Sequence, residues 1–99
     1  MIVEFLPEAR AELLDAVAYY ESELNGLGLR LWDEVDAHVE WVAENHAVPR
    51  LRPGNYRRVN LKVFPYYISY IVRDAIWIVA IAHSHTRPHY WIARQPAVK

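Results

Sequence analysis

The sequence predicts an α+β fold: a β-αα-βββ chain with a mainly antiparallel sheet and an αα-hairpin packed on one face. Three observations carry this. Two stretches with helically spaced apolar residues are joined by the short turn Asn25-Gly26-Leu27-Gly28. Residues 56–63 alternate between apolar and polar side chains. Residues 76–82 carry Ile, Val and Trp without a charge, which reads as a strand buried on both faces and therefore central in the sheet. The 99 residues make one domain with one core, spanning residues 1–99.

In chain order, residues 2–6 form a short apolar strand. Pro7 then stands where a first helical residue tolerates it, and Glu8 suits the first turn. Ala9, Leu13, Ala16, Tyr20 and Leu24 follow at spacings of four, three, four and four, one face of a helix. The glycines of the turn end that helix. A second helix is expected over residues 29–45, with Leu31, Val35, Val39 and Val42 inside and Glu34, Glu40 and Glu44 outside. So short a turn makes the pair antiparallel. Residues 46–54, punctuated by Pro49, Pro53 and Gly54, are a loop exposing Arg50 and Arg52. In the alternating segment, Val59, Leu61 and Val63 face one way, and Arg58, Asn60 and Lys62 face the other. That second face is expected to be concave or open. Phe64-Pro65 breaks the strand. Residues 66–73 and 76–83 then form a hairpin around Arg73-Asp74-Ala75.

A hydrophobic fraction of 54% is ample for burial and argues against disorder. With no cysteine, disulfides, thiolate metal sites and cysteine nucleophiles are excluded. The start of the chain has no basic lead and no long apolar run, so a signal peptide is not expected. No stretch approaches transmembrane length, and the default expectation is a cytoplasmic protein without membrane contact. The net charge of −1 conceals an asymmetry. Residues 1–46 set two arginines against eleven acids, a balance of −9, whereas residues 47–99 set nine basic residues against Asp74 alone, a balance of +8. The bland reading is an acidic helical layer on a basic sheet. The sharper one is a positive face for a polyanion or an acidic protein segment.

Beyond the last strand the chain turns polar and aromatic: His83-Ser84-His85-Thr86-Arg87-Pro88-His89-Tyr90-Trp91. A central strand delivering such groups to its end can build a site. The alternative is a tail that folds back and covers the sheet with Tyr90 and Trp91. Ribonuclease chemistry would need a base, an acid and cationic donors for the phosphorane. Arg58, Lys62 and Arg87 could supply the charge, and His83, His85 and Tyr90 the protons. No acid close in sequence could orient an imidazole. His83-x-His85 could hold a metal, but such pairs are common by chance and no carboxylate is near, so neither a metal nor another cofactor is expected. His38 and His46 read as surface residues. Of the four tryptophans, Trp91 with Tyr90 is expected to be exposed in a partner-binding groove.

Several pieces of the chain, taken in order, match a known pattern: Tyr19-Tyr20-Glu21 within 16–21, Gly26-Leu27-Gly28, Tyr56-Arg57-Arg58, Phe64-Pro65-Tyr66 with Ile68 and Tyr70, and the run from Val79 to His83 followed by Arg87-Pro88 and Tyr90-Trp91. With these the chain resembles the ParE branch of the RelE/ParE superfamily, the toxins of bacterial type II toxin–antitoxin modules. The resemblance implies the same β-αα-βββ fold. It also implies a cognate antitoxin wrapped around the toxin, with operator DNA engaged only through that antitoxin. ParE-like members act on DNA gyrase, and RelE-like members cut messenger RNA on the ribosome. A binding poison of gyrase is the expectation, with Arg58, Lys62, Arg87, Tyr90 and Trp91 at the partner surface. The alternatives are a RelE-like endoribonuclease and a degenerate toxin kept for antitoxin binding and repression. The sequence departs from the pattern at His85 and Thr86, where arginines are usual, and at His89, where a glycine is common.

Overall fold

Proline at the first turn, a left-handed glycine between two apolar stripes and two β-branched runs produce six elements. They are β1 (Val3–Phe5), α1 (Pro7–Glu23), α2 (Leu27–Asn45), β2 (Arg57–Asn60), β3 (Tyr66–Val72) and β4 (Ile76–His83). This computed structural model describes residues 1–96; residues 97–99, among them the Lys99 counted in the charge balance, lie outside it. The sheet order is β1-β4-β3-β2. β1 runs parallel to β4, and the other two pairings are antiparallel. The uncharged run is therefore central, as its composition predicts.

The helical hairpin closes tightly for two reasons. Gly26 has φ 87°, a left-handed conformation that favours glycine. At Gly28 a Cβ atom would collide with the backbone carbonyl of Val17, so only glycine lets α1 and α2 approach so closely there. Glu21 finishes the junction by accepting hydrogen bonds from the Gly26 and Gly28 N–H groups at 2.8 and 3.0 Å. These satisfy donors that the start of α2 leaves free. The second helix thus begins at Leu27, two residues before its expected start.

The stripes Ala9, Leu13 and Ala16 of α1 and Leu31, Val35 and Val42 of α2 are buried in one core with residues of β3 and β4. Each Leu or Val so buried contributes about 1.5–3 kcal/mol of apolar transfer. Two expected stripe members depart. Leu24 falls beyond the end of α1 and is 62% exposed, and Val63 is 71% exposed. Val63 is out of the core because β2 stops at Asn60. Beyond it the Glu34 carboxylate accepts hydrogen bonds from the N–H groups of Lys62, Val63 and Phe64 at 2.6, 3.2 and 3.3 Å. The chain there curls around a carboxylate instead of pairing with a strand. His38 and His46 are half-buried rather than fully on the surface: His38 Nδ1 lies 2.8 Å from the Glu34 carbonyl, and the His46 carbonyl accepts from the Tyr70 hydroxyl. Burial pushes that phenol up to about 12. Among the described residues no helix is long and apolar enough to cross a membrane.

Candidate functional site

β1 is too short to cover β4. Its pairing ends at Phe5 opposite Ile78, with the Leu6 N–H bonded to the Ile78 carbonyl. From Val79 onward the β4 edge needs other partners. Glu12, three residues after Ala9 and four before Ala16, points from the inner stripe of α1 to this edge. Its carboxylate accepts from the Ile81 N–H at 3.1 Å. Arg94 donates to both carboxylate oxygens, at 3.0 and 3.1 Å, and to the Val79 carbonyl at 3.1 Å. The Tyr90 hydroxyl donates to the same carboxylate. Burial first, and then the Glu12 carboxylate, raises the Tyr90 phenol far above its ordinary range. Tyr90 is thus a neutral donor, not a proton carrier near neutral pH. The segment after β4 becomes a strap bound to α1 across the open edge.

The strap also reaches the sheet face opposite the helices. Trp91 is 1% exposed. Its indole N–H donates to the Tyr67 hydroxyl at 2.9 Å, and its ring meets the Tyr56 ring edge-on at 4.6 Å. Arg58 lies over the Tyr67 ring at 3.9 Å and donates to Asn60 Oδ1. His89, at φ 62°, turns the chain into the strap, with Nε2 2.9 Å from the Tyr56 hydroxyl. Two expectations are corrected. The face carrying Arg58 is not open, and Trp91 is not an exposed aromatic: the indole needs a buried acceptor and finds Tyr67. The tail folds back over the sheet.

A third region lies between α2 and the edge strand β2. It is a groove of about 570 Å³ lined by Glu34, Ala37, His38, Trp41, Val59, Asn60 and Lys62. Trp41 is 41% exposed in it. Burial alone would raise the Glu34 carboxyl, but the three backbone N–H donors outweigh this and hold it below the usual carboxylate range.

The residues singled out by sequence are thereby separated. His83 pairs with Tyr66, their rings 5.0 Å apart, and Tyr66 packs near Tyr20 of α1. Tyr67 is the next residue of β3, so it and the stacked Arg58 lie on the opposite face from His83. Lys62 is in the groove at the β2 edge, at the far side of the sheet from β4. Arg87 sits in the exposed tip 84–89 and makes no side-chain hydrogen bond or ion pair among the described residues. His83 ends β4, and the chain turns at Ser84-His85. The His85 N–H donates to His83 Nδ1 at 3.0 Å and occupies that ring nitrogen. Tyr90 shares the α1–β4 end with His83. Sequence reasoning missed Glu12 and the role of Glu34. Glu12 left a readable trace, an acid within an apolar stripe. Glu34 left none, because its partners are backbone groups 28–30 residues away.

A family model described as "ParE toxin of type II toxin-antitoxin system, parDE" matches residues 3–88. Among solved structures, the chain is similar to one described as "Chromosomal ParDE TA system from P. aeruginosa", with a TM-score of 0.71 and 20% identity over 84% of this chain and 95% of that one. At that identity the likeness speaks for the fold. No curated protein matches the sequence.

Proposed function

Because this chain belongs to the ParE toxin family of type II toxin–antitoxin systems, we propose that it arrests growth by binding DNA gyrase and is held inactive by a cognate antitoxin. The observation that carries the binding mechanism is the separation of Arg58 and Lys62, two of the candidate phosphate-binding groups for ribonuclease chemistry, from the proton carriers His83 and Tyr90. Arg58 is stacked on one sheet face, Lys62 lines the α2–β2 groove, and His83 and Tyr90 stand at the α1–β4 end. Cleavage needs base, acid and phosphate-binding groups within about 3 Å of one reacting centre. These residues do not converge on one. The RelE-like reading is accordingly the weaker of the two.

Binding needs only shaped, charged surface. Arg87 on the exposed tip supplies a fixed charge for the target. The α2–β2 groove, with Trp41, Lys62 and an unpaired strand edge, suits a protein segment. We place the antitoxin there, steered by the basic half of the chain; Arg58 and Trp91 on the opposite sheet face and Tyr90 at the β4 edge are then outside this contact. Operator DNA is reached only through the antitoxin, and the complex works in the cytoplasm. The test is growth arrest on induced expression without antitoxin, comparing His83→Gln, His85→Gln and Arg87→Ala, with folding checked by circular dichroism. A gyrase poison keeps activity in at least one histidine variant and triggers DNA-damage signalling with messenger RNA intact. Loss in both histidine variants together with cleavage of ribosome-bound messages would replace this reading by the ribonuclease.

A further inference from the structure

A shallow cup of about 270 Å³ opens between α1 and the end of β4, walled by Asp15, Tyr19, Tyr66, His83 and Tyr90 with Glu12 at its base. We propose that it receives a basic side chain, a guanidinium above all, from a protein partner. This goes beyond the toxin reading, because it fixes the chemistry of the occupant without regard to which partner carries it.

Charge is the first argument. No lysine or arginine lines the cup. The Glu12 charge is already met by Arg94, Tyr90 and the Ile81 N–H. Asp15 is exposed and makes no ion pair among the described residues. What remains is one free negative charge on a wall that belongs to the acidic half of the chain. A phosphate finds no cationic donor there, so the cup is unsuited to nucleic acid although His83 and Tyr90 both reach it.

The second argument is the lining. Tyr19, Tyr66 and His83 of the lining belong to an edge-to-face run that Tyr20 and His85 complete outside the cup, with successive centroid distances from Tyr19 through Tyr20, Tyr66 and His83 to His85 of 5.1, 6.2, 5.0 and 5.3 Å. Tyr19, at the mouth, is 57% exposed. Burial raises the Tyr66 phenol, and the neighbouring Glu23 carboxylate raises that of Tyr19, so both rings stay neutral. Neutral phenol rings beside a free carboxylate attract a planar cation by its face and by its N–H fork together. The pairing already occurs in this chain, where Arg58 covers Tyr67 and Arg94 lies 5.1 Å from the Tyr90 ring centre.

The test is a titration of the isotope-labelled protein, followed by nuclear magnetic resonance, with the blocked tripeptide Ala-Arg-Ala. Ala-Glu-Ala and inorganic phosphate serve as comparisons. The arginine peptide should shift the amides of Ala16, Ile81 and Thr86 saturably, and the comparisons should not. Asp15→Asn and Tyr19→Leu change exposed side chains, so the fold is retained, and each should weaken binding about threefold. Absence of saturable shifts at the cup would overturn the proposal. So would equal shifts with phosphate, or an affinity unchanged in both variants.

Discussion

Replacing Glu12 with alanine should loosen the strap and destabilise the whole domain. The carboxylate has four partners: the Ile81 N–H, two nitrogens of Arg94 and the Tyr90 hydroxyl. Stranding the Ile81 N–H costs about 1–3 kcal/mol. The Arg94–Glu12 pair retains 20% and 22% side-chain exposure. Its loss therefore lies between that of an exposed pair, at most about 1 kcal/mol, and that of a fully buried one, about 3–5 kcal/mol. Water entering the vacated space recovers part of both terms, so about 2–4 kcal/mol is expected overall. In a domain of this size each kcal/mol lowers Tm by about 4–8 °C, so Glu12→Ala should melt at least about 8 °C lower. Glu12→Gln keeps an acceptor for Ile81 while removing the charge, and should fall between wild type and alanine. The assay is urea denaturation of the three proteins, with hydrogen exchange at the Ile81 amide as a local readout. A Glu12→Ala protein with an unchanged midpoint and a still-protected Ile81 amide would refute the assignment of Glu12 as the clasp of the strap.

Leu13 is 6% exposed on the α1 stripe, so Leu13→Ala should cost about 2–5 kcal/mol in the same denaturation experiment. The Glu34 carboxyl is held low in the folded chain. Its stabilisation is therefore complete above the ordinary carboxylate pKa of the unfolded chain and is lost as pH falls through the lower folded value. Glu34→Gln should flatten the dependence of the denaturation midpoint on pH in this acid range, whereas an equal slope in both proteins would contradict the three-donor geometry. Lys62→Ala combined with Arg87→Ala should slow antitoxin association and reduce its salt dependence while dissociation changes little, as stopped-flow mixing would measure. An unchanged association rate would put the steering charges elsewhere.

The elements were legible because periodicity reports burial directly. The uncharged run at 76–82 had to be central, and β4 is. The end of β2 was not legible. Residues 61–63 alternate as well as residues 57–60 do, and what stops the strand is a carboxylate distant in sequence. The exposure of Trp91 was misread for a related reason. A lone Trp after the last strand suits a core and an interface equally well, and the choice depends on whether Tyr67 lies within reach. Lys62, His85 and Arg87 are exposed and His83 ends β4, whereas Arg58 is half-buried over Tyr67. Their separation onto two faces and two edges follows from strand register, which composition does not encode.

The proposed binding of gyrase by this ParE-family chain can be set directly against message cleavage. The most direct measurement compares the purified protein in gyrase-driven supercoiling and on translating ribosomes, each with and without its antitoxin. Supercoiling should be lost and then restored by the antitoxin, with ribosome-bound messages left whole. Cleaved messages beside fully active gyrase would contradict it.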